Sequence, residues 1–199
     1  MTQSATGIVN EALVLIGGDQ IASLDDGSPN ANRAIRIYDT NRDLLLRSSE
    51  WDFATSRRKL ARLVAPPGYG FQYAHAMPTD WIRTIAVHHN EAGVGNFNYR
   101  NEQVNNQNVI VTDSYEVWLT YVRREVDPNK WPADFQKTLI ELMARDLAVP
   151  VANSTTLSQI YDGRISRTSA NARHTDSAGS FPEQRPRGSW ANSRGGRRR

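Results

Sequence analysis

Residues 131–150 read WPADFQKTLIELMARDLAVP. After Pro132, the apolar positions Phe135, Leu139, Leu142, Met143 and Leu147 recur at helical spacing. This predicts a helix with a single apolar stripe that stops before Pro150, because proline disfavours helix at the residue preceding it. A helix with one apolar face needs other helices or a sheet to cover it. Two such partners lie near the start of the chain. In residues 4–16, Ile8, Val9, Ala12, Leu13 and Ile16 share a face, and Gly17-Gly18 follows as a stop signal. Ser28-Pro29 then supplies an N-cap and a first-turn proline for a second helix running to about Ser49, with Ala31, Ala34, Ile35, Tyr38, Arg42 and Leu45 as its stripe. A fourth helix is predicted from Asn153 or Ser154, using Leu157, Ile160, Tyr161 and Ile165, with Gly163 weakening its last turn.

Between the two pairs of helices the period changes. Short runs rich in aromatic and β-branched residues are broken by Ala65-Pro66-Pro67-Gly68, by Pro78-Thr79-Asp80 and by an Asn/Gly-rich stretch at 90–96. Strands are expected at 53–63, 71–77, 81–88, 96–100, 103–112 and 115–123, forming one half-buried antiparallel sheet. In the last strand, Tyr115, Val117, Leu119 and Tyr121 face one way and Glu116, Trp118, Thr120 and Val122 the other. The fold class that follows is α+β: a four-helix bundle, two helices from each end of the body, with an inserted antiparallel β domain and an extended C-terminal tail. The expected divisions are 1–50 for the first half of the bundle, 51–126 for the β insertion, 127–163 for the second half and 164–199 for the tail.

The chain has 199 residues, 39% hydrophobic and 23% charged, enough for a substantial core. It has no cysteine, which removes disulfide frameworks, thiolate metal sites and cysteine nucleophiles. Residues 1–6 carry no basic side chain, and the apolar run 8–16 is interrupted by Asn10 and Glu11, so a soluble, intracellularly made protein with no membrane contact is expected. Charge is unevenly placed. Residues 1–162 hold 15 Lys and Arg against 19 Asp and Glu, whereas 163–199 hold 9 Arg against Asp176 and Glu183. The pI of about 9.4 is therefore a property of the end of the chain, and the body is mildly acidic.

Candidate chemistry is sparse. Asp25-Asp26-Gly27-Ser28 resembles part of a calcium loop but lacks the alternating oxygen ligands and the downstream Glu, and a turn leading into a helix cap accounts for every residue. His88 and His89 are adjacent on a strand and so point to opposite faces. With His75 and His174 in unrelated segments, no metal site is expected. No Gly-x-Ser-x-Gly elbow occurs, Gly93-Val94-Gly95 is better read as a hairpin tip than as a phosphate loop, and no paired acidic site stands out. Neither catalytic nor cofactor-binding residues are assigned, and no enzyme is expected. Arg57-Arg58-Lys59 with Arg62 is read as a charged edge strand that resists aggregation, the other use being contact with an acidic neighbour.

The strongest signal is the tail. Arg164, Arg167, Arg173, Arg185, Arg187, Arg194, Arg197, Arg198 and Arg199 are accompanied by Phe181 and Trp190. A segment this polar cannot fold alone, so it is expected to be ordered by a partner. Extended at about 3.3 Å per residue, 164–199 would reach about 120 Å. Three uses compete: phosphate neutralisation on nucleic acid, docking on an acidic protein groove, and solubilisation. The aromatic residues speak against pure solubilisation, because interfaces anchor on such side chains. With only two Arg-Gly steps, at 187–188 and 194–195, docking on protein is favoured over RNA binding.

The order of several segments resembles a known family. Ile8-Val9-Asn10-Glu11-Ala12-Leu13, Leu15-Ile16-Gly17 and Ile21-Ala22-Ser23-Leu24-Asp25-Asp26 open the match. Arg42-Asp43-Leu44-Leu45-Leu46-Arg47, Trp51-Asp52-Phe53-Ala54, Phe71-Gln72-Tyr73-Ala74, Met77-Pro78-Thr79-Asp80-Trp81 with Arg83, and the segment 134–150 continue it. Together they resemble the head-to-tail adaptor, or tail tubular protein A, of short-tailed bacteriophages. That resemblance implies a virion protein at the portal vertex, made in the host cytoplasm, that forms a twelvefold ring between the portal protein and the tail nozzle. Its channel would pass double-stranded DNA without specific binding during genome retention and ejection, and residues 164–199 would engage the portal. The long arginine-rich ending departs from the shorter family pattern. Twelve mildly acidic bodies would make a negative lumen along which phosphates slide, if their acidic residues face the bore. The alternative reading is a nucleic-acid-binding module whose basic tail grips DNA or RNA.

Overall fold

The structure is a computed structural model that describes residues 4–91, 98–104 and 106–178. Its elements run α1 (Ala5–Leu15), α2 (Pro29–Ser48), β1 (Thr55–Lys59), β2 (Tyr73–Ala76), β3 (Trp81–His88), β4 (Tyr99–Val104), β5 (Gln107–Thr112), β6 (Trp118–Arg123), α3 (Ala133–Ala152) and α4 (Thr155–Ala178). Among the described residues the fold is α+β, with four α-helices and two small antiparallel sheets. Among the described residues, no helix is long and apolar enough to cross a membrane.

Helix boundaries follow local chemistry. Ser4 caps α1 by accepting from the Gly7 amide at 3.0 Å. At the other end Gly17 turns left-handed at φ +74°, which lets the Gly17 and Gly18 amides reach the Val14 and Leu13 carbonyls at 3.2 and 2.8 Å. Ser28 caps α2 through the Ala31 amide, and Pro29 occupies the first turn, where its missing N–H costs nothing. The preceding loop is tied by Asp26, whose carboxylate accepts from the amides of Ala22, Ser23 and Ser28. Hydrogen bonding from Ser28 is the main reason its carboxyl is lowered to about 2. The Asp25-Asp26-Gly27 stretch is thus a turn feeding a helix cap.

Two helical boundaries differ from the expectation. Helix α3 does not stop before Pro150 but includes it, ending where Asn153 adopts φ +51°. In the last turn the proline sacrifices one backbone hydrogen bond, and the packing of Val151 and Ala152 against the core outweighs that loss. Helix α4 passes through Gly163 to Ala178, so the extended tail expected from residue 164 is helical over its first part. Its start is capped by the Ser154 hydroxyl, which accepts from the Leu157 amide. Beyond that turn, Leu157 and Ala172 join the core and Tyr161 is buried, which holds the helix against α3 despite the glycine.

Helix α3 is the hub: α1, α2 and α4 all contact it. Of the predicted stripe, Phe135, Leu139, Met143 and Leu147 are buried and Leu142 is half-buried, and Thr138, Ala144 and Ala148 join them. On α2 the stripe runs through Ala31, Ala34, Tyr38, Asn41, Arg42, Leu45 and Leu46, while Ile35 is 45% exposed, against expectation. Arg42 can be buried because Asp39 and Asp43 neutralise it at 2.8 and 2.9 Å. Around Phe135 the rings of Trp51, Phe53 and Trp131 lie at centroid distances of 5.2, 5.0 and 5.2 Å. This aromatic knot joins the helices to both ends of the β region.

The β region forms two three-stranded sheets rather than the single sheet expected, in the orders β1-β6-β3 and β2-β5-β4. The central strands, β6 and β5, each pair antiparallel on both sides, with Thr55 opposite Val122, Trp81 opposite Arg123, and Tyr73 and Tyr99 both opposite Thr112. The long first strand is cut short at Lys59, and a single bridge from Arg62 to His75 continues toward the second sheet. The β4–β5 turn falls near Asn106, at φ +64°, later in the chain than the break expected after Arg100. The proposed hairpin tip at Gly93-Val94-Gly95 lies outside the described residues. Ile110 of the second sheet packs with Val87, Leu119 and Tyr121 of the first. On the first sheet's other face, Ile82 and Val122 enter the helical core. Alternation along β6 therefore serves two cores, because this sheet is covered on both sides. Arg47 fastens it to α2 by donating to the Ile82 carbonyl at 3.0 Å, and Arg124 pairs with Asp43 at 2.8 Å.

Candidate functional site

Of the residues singled out for docking, Arg164 and Arg167 lie exposed on α4 and Arg173 lies on its later part. Phe181, Arg185, Arg187, Trp190, Arg194, Arg197, Arg198 and Arg199 lie outside the described residues. The helix that leads to them is polar along most of its described length. Ile160 is exposed, Leu157 is half-buried, and among its described side chains only Tyr161 and Ala172 are fully inserted into the core.

The first half of α4 is anchored by a set of polar contacts that links it to the other three helices. The Tyr161 hydroxyl donates to the Leu15 carbonyl at 3.0 Å, tying α4 to the end of α1. Asn41 on α2 donates to Asp146 at 2.9 Å, and Arg145 donates to the other oxygen of Asp146 at 2.8 Å. Arg145 also reaches Asp162 of α4 at 3.6 Å. Hydrogen bonding to Asp146 is the chief reason Arg145 is held even more firmly protonated than an ordinary guanidinium. The Arg164 guanidinium lies over the Tyr161 ring at 5.2 Å, a cation–π contact on the open side of the helix.

Beside Arg164 a groove of about 750 Å³ opens between α1, α3 and α4. Val14 and Leu15 form an apolar wall, Ile140 and Glu141 contribute from α3, and Glu11 and Lys137 also border it. Glu141 is 6% exposed, and its Oε2 has no hydrogen-bond partner. The helical pattern does not single this residue out, since Lys137 and Glu141 have the four-residue spacing of an ordinary solvated pair. The signal that could have found it is its place between Ile140 and Leu142, inside an apolar run where a charge is costly.

The other candidates resolve into structural roles. Arg57, Arg58 and Lys59 lie on β1, an edge strand, and are exposed, matching the charged-edge reading. Lys59 pairs with Glu116, and Arg62 stacks on the rings of Tyr73 and Tyr115 at 5.3 and 4.1 Å. His75 is fully buried, with Nε2 at 3.1 Å from the Ser114 carbonyl and no partner at Nδ1. Burial pushes its pKa below 6.5, and the nearby Arg62 adds to the effect. Among the described residues, no group of three or more His, Asp or Glu side chains is placed to hold a metal ion. The side chain of His174 lies outside the described residues. No protein-family model matches the chain, and no curated protein matches it.

Proposed function

We propose that the chain is a structural protein of a short-tailed bacteriophage virion, a head-to-tail adaptor that forms a ring between portal and tail nozzle and continues the DNA channel. In this reading α1 to α4 act as one helical bundle that carries the β region as an insertion. The observation that supports it most is α4: a 24-residue helix, anchored at its start, mostly polar, and leading directly into an ending with six further arginines and two aromatic residues. Apart from Leu157, Tyr161 and Ala172, which seat it on the body, the described part of this helix is mostly polar and suited to bridging to a partner. The arginines offer bidentate pairing to acidic side chains, and Phe181 and Trp190 offer anchors for apolar pockets. Repeated around a ring, individually weak contacts would combine through high effective concentration.

Electron-microscopy class averages of the protein mixed with its cognate portal rings test this directly. The expected result is a ring of adaptor on the portal, lost when residues 179–199 are deleted and retained by a chain altered only at Arg57 and Arg58. Undiminished assembly by the truncated chain would refute docking through the ending. Filter binding across a salt series separates the nucleic-acid reading, for which duplex binding would be tight and would fall steeply with salt.

A further inference from the structure

The second sheet ends in a strand whose side chains complement those of its own copy. Tyr99 to Gln103 of β4 are exposed and Val104 is half-buried, and no described strand pairs with the outer edge. An open edge presents a row of backbone donors and acceptors to any strand that fits. The other sheet edges are poorly suited to this. Residues 61–63 cover β2, with the Leu63 amide donating to the Ala74 carbonyl and the Ala76 amide to the Ala61 carbonyl at 2.8 and 2.9 Å. On β3 two register shifts break the edge, and the Ile82 carbonyl already accepts from Arg47. On β1, Arg57, Arg58 and Lys59 follow one another, so pairing with a copy brings positive charges together.

The charges of β4 act the other way. Arg100 lies opposite Val111 and Glu102 opposite Val109 of β5, so both side chains stand on one face of the sheet. Among the described residues neither forms an ion pair. In antiparallel pairing, directly opposed residues alternate between hydrogen-bonded and non-hydrogen-bonded pairs, so a two-fold axis must fall where a residue meets its own copy. An axis at Arg100 or at Glu102 sets like charges face to face. An axis at Asn101 sets Arg100 of each copy against Glu102 of the other, sets Tyr99 against Gln103, and keeps residues 99–103 in the ladder. We propose that two copies of this chain associate through β4 about an axis at Asn101, joining their three-stranded sheets into one of six strands. A backbone ladder with exposed ion pairs is a small contact, so the dimer is weak and concentration-dependent. The proposal does not rest on the adaptor reading, because the contact is two-fold and is read in the free protein, without portal.

Sedimentation equilibrium of the full-length protein, from micromolar concentration to about 1 mM, tests this. The expected result is a monomer–dimer equilibrium. R100E and E102R, each of which turns both cross-strand pairs into repulsions, should weaken the dimer at least about tenfold. An equal mixture of R100E and E102R should recover it, because in the mixed dimer every pair is again of opposite charge, and the double variant R100E/E102R should recover it alone. Both side chains are exposed, and circular dichroism checks that the variants fold. The absence of native cysteine allows a second reading of the register. N101C should oxidise to a linked dimer faster than Q103C, whose copies the axis holds about 13 Å apart along the strands. A monomer at every concentration, association indifferent to R100E, a mixture no tighter than its components, or equal oxidation of N101C and Q103C would each overturn the proposal.

Discussion

Phe135→Ala is the sharpest test of how the helices and the β region are joined. The ring is fully buried and meets three other aromatic rings at about van der Waals contact, all at centroid distances of 5.0 to 5.2 Å. Truncating a buried phenylalanine costs about 3–5 kcal/mol through lost transfer energy and the cavity left behind. Each aromatic pair adds about 0.5–1.5 kcal/mol beyond area burial, so the upper part of that range applies here. At roughly 2–4 °C per kcal/mol for a chain of this size, 4 kcal/mol lowers Tm by about 8–16 °C. Urea unfolding followed by far-ultraviolet circular dichroism and by tryptophan fluorescence measures the loss. Phe135→Leu, which keeps most of the volume, should lose less than half as much. The two probes should shift together, because Trp51 and Trp131 share the knot with the helix that dominates the dichroism. A loss below about 1 kcal/mol, or a shift in only one probe, would refute the claim that this knot couples the two regions.

Further outcomes follow from local geometry. Because His75 has a folded pKa below its unfolded 6.5, its neutral form contributes stability that is complete above that value and is lost as pH falls through the depressed pKa. Denaturation midpoints from neutral to mildly acidic pH should therefore fall, and His75→Gln should flatten the slope. Gly17→Ala should cost about 1–2 kcal/mol by thermal melting, since alanine is strained at φ +74°. Ser28→Ala should cost about 1 kcal/mol by removing the cap of α2. The Asp26 carboxyl should titrate near 2 by nuclear magnetic resonance and return toward 3.8 when Ser28 is replaced by alanine.

Much of the helical layer was legible because its signals are local. Ser4, Gly17-Gly18 and Ser28-Pro29 mark boundaries through their own hydrogen bonds and dihedral angles, and the stripe on α3 reports its buried face. The misreadings arise where tertiary contacts override local preference. Pro150 breaks no helix because Val151 and Ala152 are needed against the core, and Gly163 is spanned because Tyr161 and Ala172 hold the helix on either side. The division of the strands into two sheets was hidden because short β-branched runs read alike whether covered on one face or two. Glu141 was invisible for a different reason: its isolation depends on where Arg164 and α1 end up, which no helical periodicity encodes.

The β region leaves and re-enters the helical layer almost at one spot, since Thr55 lies opposite Val122 and the rings flanking them meet at Phe135. Beyond this doorway the outer sheet β2-β5-β4, none of whose described residues joins the helical core, forms an exchangeable cassette. Evolution could lengthen, trim or exchange it while the helices keep their footing. Descendants of this chain should therefore diverge first in the cassette, and a graft of a foreign hairpin pair across the same doorway is the natural engineering route to a new surface on an unchanged frame.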